Sequence, residues 1–123
     1  MTTTTLNVTV ARVNELNALV ADRNTILAAF DRFYADDVVM SESSTESTAG
    51  KRENREREVQ FVGGLTKWDA RLLDSVVDEA RGLAFNRWHI EFEHAAFGAG
   101  VLRQISAQQW RDGKIVNESF YKL

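Results

Sequence analysis

Three ionisable side chains stand where a folded chain would hold them against apolar surface: Glu42, Glu118 and His94. Glu42 ends the run Phe33-Tyr34-Ala35-Asp36-Asp37-Val38-Val39-Met40-Ser41-Glu42, five residues beyond the second aspartate and just after a β-branched stretch. A carboxylate on an apolar strand acts as a general base when burial raises its proton affinity and a C–H acid comes within hydrogen-bond reach. The plainer role for Glu42 is a cap on the next helix, or an ion pair with Arg55 or Arg57. Glu118 shares a strand face with Val116, Phe120 and Lys122; turned inward it is costly to bury unless it meets a partner or water. It is either an acid/base group or ligand anchor, or half of a buried ion pair with Lys122 or Arg103. His94 ends a strand beside the glycine-bearing segment 95–100, where an imidazole either titrates near neutrality or serves the structure. His89 points to the opposite face of that strand, so the two histidines cannot close a zinc site, and no metal is expected. Ser41, Ser43, Ser44 and Ser47 have neither nucleophile-elbow glycines nor a partnered base, and read as loop residues.

Helices must come first to position these groups. Leu6, Val10, Val13, Leu16 or Asn17, and Val20 recur at helical spacing. Asn24 is a candidate cap for a second helix, whose stripe is Ile26/Leu27, Phe30 and Phe33/Tyr34. Ala35-Asp36-Asp37 ends it, and Val38 to Glu42 is a short strand. The polar, aperiodic stretch Ser43 to Ala49 is a predicted loop. Gly50 opens a third helix from Lys51 to about Val62, with Arg52/Glu56 and Glu53/Arg57 at the supportive four-residue spacing. Val59, Val62 and Leu65 supply its predicted buried side, its charged run a solvated face, and Gly63-Gly64 its stop.

From Trp68 the pattern becomes strands: Arg71 to Val77, a turn at Glu79 to Gly82, Leu83 to His94, a loop at Ala95 to Gly100, and Val101 to Arg111. Asp112-Gly113 is a tight-hairpin signal, and Lys114 to Lys122 returns. On Leu83 to His94, alternation sets Ala84, Asn86, Trp88, Ile90 and Phe92 toward the helices. Phe85, Arg87, His89, Glu91 and Glu93 face outward. On the next strand the favoured inward set is Leu102, Gln104, Ser106, Gln108 and Trp110, which a bulge would exchange for Arg103, Ile105, Ala107 and Gln109. On the last strand Ile115, Asn117, Ser119 and Tyr121 oppose the Glu118 set. Trp88, Phe92, Phe120 and Trp110 are core residues first, some of them cavity walls as well.

A length of 123 residues suits one domain, residues 1–123, and 44% apolar with 27% charged residues is the composition of an ordinary globular chain. A net charge of -3 leaves no basic footprint for nucleic acid. The absence of cysteine removes disulfides, thiolate metal sites and a cysteine nucleophile, and fits a reducing cytoplasm. No apolar run approaches the roughly 20 residues of a spanning helix, so no membrane partner is expected. Met-Thr-Thr-Thr-Thr has neither the basic region nor the apolar core of a signal peptide and reads as a frayed end.

The order and spacing of four motifs resemble the nuclear-transport-factor-2-like superfamily, and within it the SnoaL-like polyketide-cyclase and ketosteroid-isomerase branch. The motifs are Phe33 to Met40, Gly50-Lys51 opening the third helix, Trp88 in the central strand, and Trp110-Arg111-Asp112-Gly113-Lys114-Ile115-Val116 at the last hairpin. The resemblance implies an α+β, cystatin-like cone: three N-terminal helices packed on a curved, mainly antiparallel sheet, with a pocket between and frequently a dimer. It also implies that Glu42 holds the place of the isomerase proton shuttle. The isomerase oxyanion hole, a tyrosine and a protonated aspartate, does not carry over. The first helix has no tyrosine, the aspartate position falls near Ser106, and no Asp–His pair of the cyclase type lies on the inward set.

The resulting expectation is a small-molecule pocket protein of unassigned specificity, acting without a cofactor as an isomerase, cyclase or dehydratase on a small apolar carbonyl compound. Glu42 moves the proton, and Glu118, Gln104 or Ser106 steadies the oxyanion. Tyr34, Asn86, Trp88, Phe92 and Phe120 contact the ligand. The alternative is a non-catalytic module that binds an apolar ligand or forms a homodimer through the outer sheet face bearing Arg87, His89, Glu91, Arg103 and Ile105.

Overall fold

The computed structural model describes residues 6–42 and 46–123; the predicted frayed end, Met1 to Thr5, and the Ser43 to Thr45 part of the predicted loop lie outside the described residues. The elements in chain order are α1 (Val10–Val20), α2 (Ile26–Phe33), β1 (Tyr34–Ser41), β2 (Ser47–Ala49), α3 (Lys51–Gly64), β3 (Leu65–Asp78), β4 (Leu83–His94), β5 (Gly98–Arg111) and β6 (Lys114–Lys122). Six strands form one sheet in the order β2-β1-β6-β5-β4-β3. The β1–β6 pair is parallel and every other pair antiparallel. Three helices on one face of a mostly antiparallel sheet make the expected α+β cone. Among the described residues no helix is long and apolar enough to cross a membrane.

Several boundaries differ from the sequence reading for physical reasons. The first helix starts at Val10, capped by the Thr9 hydroxyl, which accepts from the Arg12 N–H at 3.1 Å. Leu6 and Val10 are exposed, and Val8, ahead of the helix, fills the core in their place. Thr25, not Asn24, is the cap residue of α2, and it makes no side-chain cap bond. Tyr34 and Ala35 leave helical geometry and begin β1, both buried, while Asp36 and Asp37 turn to solvent. Irregular pairing with β6 between Tyr34 and Val39 accommodates this corner. Asp37 then meets Arg111 at 2.8 Å and ties the corner to the final hairpin. Part of the predicted polar loop, Ser47–Ala49, is the short edge strand β2.

The turns behave as their residues dictate. Asp112 and Gly113 both have positive φ, 52° and 78°, as a two-residue hairpin requires. Beside this hairpin the β5–β6 register shifts between Gln109 and Trp110, so Trp110 pairs with Ile115. That bulge turns Ile115 into the core, away from the outward set in which strict alternation puts it. The hydrophobic core sits at this end of the cone: Val13, Leu16, Phe33, Trp110 and Ile115 are fully buried, with Val38 and Ala84 among them.

The third helix is rotated relative to expectation. Val59 is exposed, and Asn54 is the buried residue of the helix, with Leu65 buried just beyond it. Asn54 donates to the carbonyls of Thr48 and Gly50. Arg55 grips Asp31 of α2 through two bonds of 2.6 and 3.0 Å, and Arg52 pairs with Glu56. Arg57 donates to the Thr48 hydroxyl at 2.5 Å. The helix ends where Gly64 lies against the His94 ring: a Cβ built there would come within 2.3 Å of ring atoms, whereas one on Gly63 meets nothing within 4 Å.

Adjacent glycines therefore respond oppositely to alanine. Gly64→Ala overpacks a buried contact and should lose about 1–3 kcal/mol. Gly63→Ala should be neutral or gain a few tenths of a kcal/mol. Thermal melts of the two variants against the parent check the order.

Candidate functional site

Beyond the packed core the cone is hollow. Between helices and sheet lies a cavity of about 680 Å³. Its walls are mainly apolar and aromatic, with Phe30, Trp88, Phe92 and Phe120 among them, and two acids look in from opposite sides: Glu118 from the sheet and Glu58 from α3. Glu42 also borders the cavity, at an exposed position past the end of β1.

Glu118 is buried, with 2% exposure. The Tyr34 hydroxyl donates to its Oε1, and Gln108 Nε2 donates to its Oε2 at 2.7 Å. The Trp110 indole N–H, which can only donate, holds Gln108 Oε1 at 3.1 Å and so aims the amide nitrogen at the carboxylate. Among the described residues neither Lys122 nor Arg103 pairs with Glu118. Burial pushes the Glu118 carboxyl up to about 7; the bonds from Tyr34 and Gln108 oppose the rise and repulsion from Glu42 adds to it. Burial, reinforced by Glu118 and Glu58, holds the Tyr34 phenol well above its ordinary value near 10.

Glu58 keeps partial exposure through the cavity but is otherwise enclosed by protein. Burial first, then repulsion from Glu118 and Glu42, pushes it up to about 7, with Arg57 pulling the other way. Among the described residues its carboxyl makes no hydrogen bond, and it borders the cavity. The sequence reading missed Glu58 by assigning its segment to a solvated face. The signal was the spacing of Asn54, Glu58, Phe61 and Leu65, one helical stripe that carries an acid between apolar or buried residues.

The remaining predicted positions divide clearly. Trp88, Phe92, Phe120, Gln104 and Ser106 line the cavity, and so do Tyr34 and His94. The inward set on β5 is the favoured one. Asn86 lies behind the wall, fully buried. His94 is buried, and both of its ring nitrogens are engaged by backbone: Nδ1 accepts from the N–H groups of Ala96 and Phe97, and Nε2 donates to the Phe61 carbonyl at 3.0 Å. Phe61 and Phe97 both stack with the ring, at centroid distances of 5.2 and 4.5 Å, and with each other at 6.5 Å. Trp110 is fully buried core and takes no part in the wall. Among the described residues no cluster of three or more acids or histidines is placed to hold a metal ion.

A pocketed α+β cone of this topology is the nuclear transport factor 2-like architecture, and solved structures of that architecture superpose on it. A candidate SnoaL-like polyketide cyclase from Mesorhizobium loti is 17% identical with a TM-score of 0.75, covering 93% of this chain and 99% of the other. An LEH-like epoxide hydrolase from M. tuberculosis is 17% identical with a TM-score of 0.70, over 93% and 81% of the two chains. A protein from Catenulispora acidiphila with a ketosteroid isomerase-like fold, in complex with trimethylamine, is 9% identical with a TM-score of 0.72, over 93% and 86%. At such identities the likeness concerns fold. No match is found among curated proteins. The family profile of the SnoaL-like domain matches residues 13–118, and the chain belongs to that family.

The raised carboxyls give stability a defined pH dependence. Between about 4.5, the ordinary value, and about 7, the folded state binds protons at Glu118 and Glu58 that the unfolded chain releases. The stability these two groups contribute is therefore fully present below this window and is lost as pH rises through it. Glu118→Gln should flatten the fall, by roughly 3 kcal/mol if the full shift is expressed. Urea unfolding of parent and variant at pH 5 and pH 8 measures it; parallel losses in both would show that Glu118 is not the titrating group.

Proposed function

We propose that this protein moves a proton on a small apolar carbonyl compound without a cofactor, as an isomerase or cyclase does. One observation carries the reading: a Glu58 without a hydrogen bond among the described residues and a Tyr34-bound Glu118, both raised to about 7, border the same apolar cavity. A general base works best when its pKa lies near the working pH, and an oxyanion needs strong donors in a water-poor site. Two carboxyls that repel one another favour a state near neutrality with a single proton between them.

In the proposed cycle Glu58 is ionised and Glu118 protonated. The acid proton of Glu118 is donated to the Tyr34 oxygen, which turns the phenol proton toward the substrate carbonyl. Glu58 takes a proton from the carbon next to that carbonyl, and the electron pair moves onto oxygen as an enolate held by Tyr34. Return of the same proton from Glu58 to another carbon completes an isomerisation. Trp88, Phe92 and Phe120 exclude water and hold the carbon skeleton. Glu42 stands at the mouth and adds negative charge that keeps both inner acids weak.

Deuterium exchange into 2-decalone, followed by NMR, tests this. Glu58→Gln should lose at least about 100-fold, Tyr34→Phe about 10- to 100-fold, and the pH profile should be bell-shaped about neutrality. A loss on Glu42→Gln as deep as on Glu58→Gln returns the shuttle to Glu42. Absence of exchange with decalone and a wider panel of ketones leaves ligand binding as the function.

The outer sheet face supports a second proposal, that two copies pair through it. Val76, Phe85 and Tyr121 are 66%, 44% and 57% exposed there, around half-buried Ile105 and Ala107 and a mutual pair of Arg87 with Asp74. Cross-strand register sets Val76 opposite Phe85, and Arg87 opposite Ile105. An apolar centre with charges beside it suits an isologous interface. Sedimentation should give a dimer for the parent and a monomer for Phe85→Glu; a monomeric parent at 100 µM-scale concentration (about that value) overturns it.

A further inference from the structure

Next to the acid pair lies a second polar group on the cavity wall. Asn17 of α1 is 4% exposed and Ser106 of β5 is 3% exposed, and both border the cavity. Asn86 joins them from behind: its Oδ1 accepts from Asn17 Nδ2 at 2.9 Å and from the Ser75 hydroxyl at 2.7 Å, and its Nδ2 donates to Ser106 Oγ at 3.3 Å. Asn86 is thereby satisfied, but its two neighbours are not spent. Asn17 Oδ1 has no hydrogen bond among the described residues, yet no side-chain oxygen there is both fully buried and unpaired, so it meets the cavity. The Ser106 hydroxyl accepts one bond and keeps its own proton to give.

The cavity side of this group therefore offers one acceptor and one donor. The offer does not depend on how the amide of Asn86 is oriented. If its oxygen and nitrogen exchange places, Asn17 presents N–H and Ser106 presents a lone pair. A ligand hydroxyl, which donates and accepts at once, satisfies both; a ketone oxygen, which only accepts, satisfies one.

We infer that Asn17 and Ser106 form a hydroxyl-binding subsite, so that the compound taken by this cavity is an apolar hydroxy-ketone. Ser106 and Gln108 are two residues apart on β5 and face the same side, which puts the subsite about 7 Å along the strand from the Glu118 group. The carbonyl and the hydroxyl must then lie at opposite ends of a compact ring system. This rests on the acid/base reading of the same cavity, since that reading assigns the carbonyl to Tyr34.

Matched ligands separate the two claims. Calorimetric titration of the intact protein with 6-hydroxy-2-decalone and with 2-decalone should show at least about 10-fold tighter binding of the hydroxylated compound, the scale of one well-made buried hydrogen bond. Ser106→Ala should narrow that preference to within about twofold. If the alanine variant does not fold, the parent's preference decides alone. Equal binding of the two ligands, or binding of neither, overturns the subsite. A retained preference without deuterium exchange overturns the catalytic reading and leaves the subsite standing.

Discussion

A carboxylate out of water is the constraint around which this structure is arranged. Glu118 is buried beside Phe120 on the inward face of its strand, and burying an ionised acid there without compensation would cost several kcal/mol. The fold answers with two donors from the strands on either side, Tyr34 from β1 and Gln108 from β5. Trp110, itself core, keeps Gln108 pointed the right way. Neutral donors lower the cost without removing it, so the group remains poised to hold a proton near pH 7. A cation in the same place would have stabilised the charge and removed that property.

The donors reach Glu118 because the cone is packed at one end and open at the other. Trp110, Phe33, Leu16 and Ile115 fill the closed end. Three short helices cannot cover a sheet of twelve- to fourteen-residue strands with side chains alone, and the space beyond stays hollow. Tyr34 sits at the boundary, stacked on Phe30 at 4.5 Å and belonging to both regions. The corner that delivers it is fixed by the Asp37–Arg111 pair, which joins two of the motifs that carry the family resemblance. That pair is exposed, and its value is in register more than in energy.

The same division explains why His94 and Asn86, polar residues on one strand face with the cavity wall, differ in role from Glu58. Both ring nitrogens of His94 are bound to backbone, one to Phe61 of α3 and the other to the turn after β4, and Gly64 leaves room for the ring. Asn86 is likewise consumed by three side chains. Glu58 has no such partners among the described residues. Chemistry is available where the fold leaves valences unfilled, and residue type alone does not reveal which ones those are.

Local rules were enough for much of the fold. The alternation of β4, the Asp112-Gly113 hairpin and the helical stripe through Phe30 and Phe33 each depend on residues near in sequence, and each appears as read. So does the inward direction of Glu118 and of the Gln104 to Trp110 set. Long-range packing decided the rest. A bulge beside Trp110 turned Ile115 inward, the rotation of α3 exposed Val59 and brought Glu58 to the cavity, and β1 met β6 in parallel to join Tyr34 to Glu118. Periodicity tells which residues share a face; it carries no information on which of two faces a roofing helix presents, or which distant side chain completes a buried acid, because those follow from the balance of burial and desolvation across the whole cone.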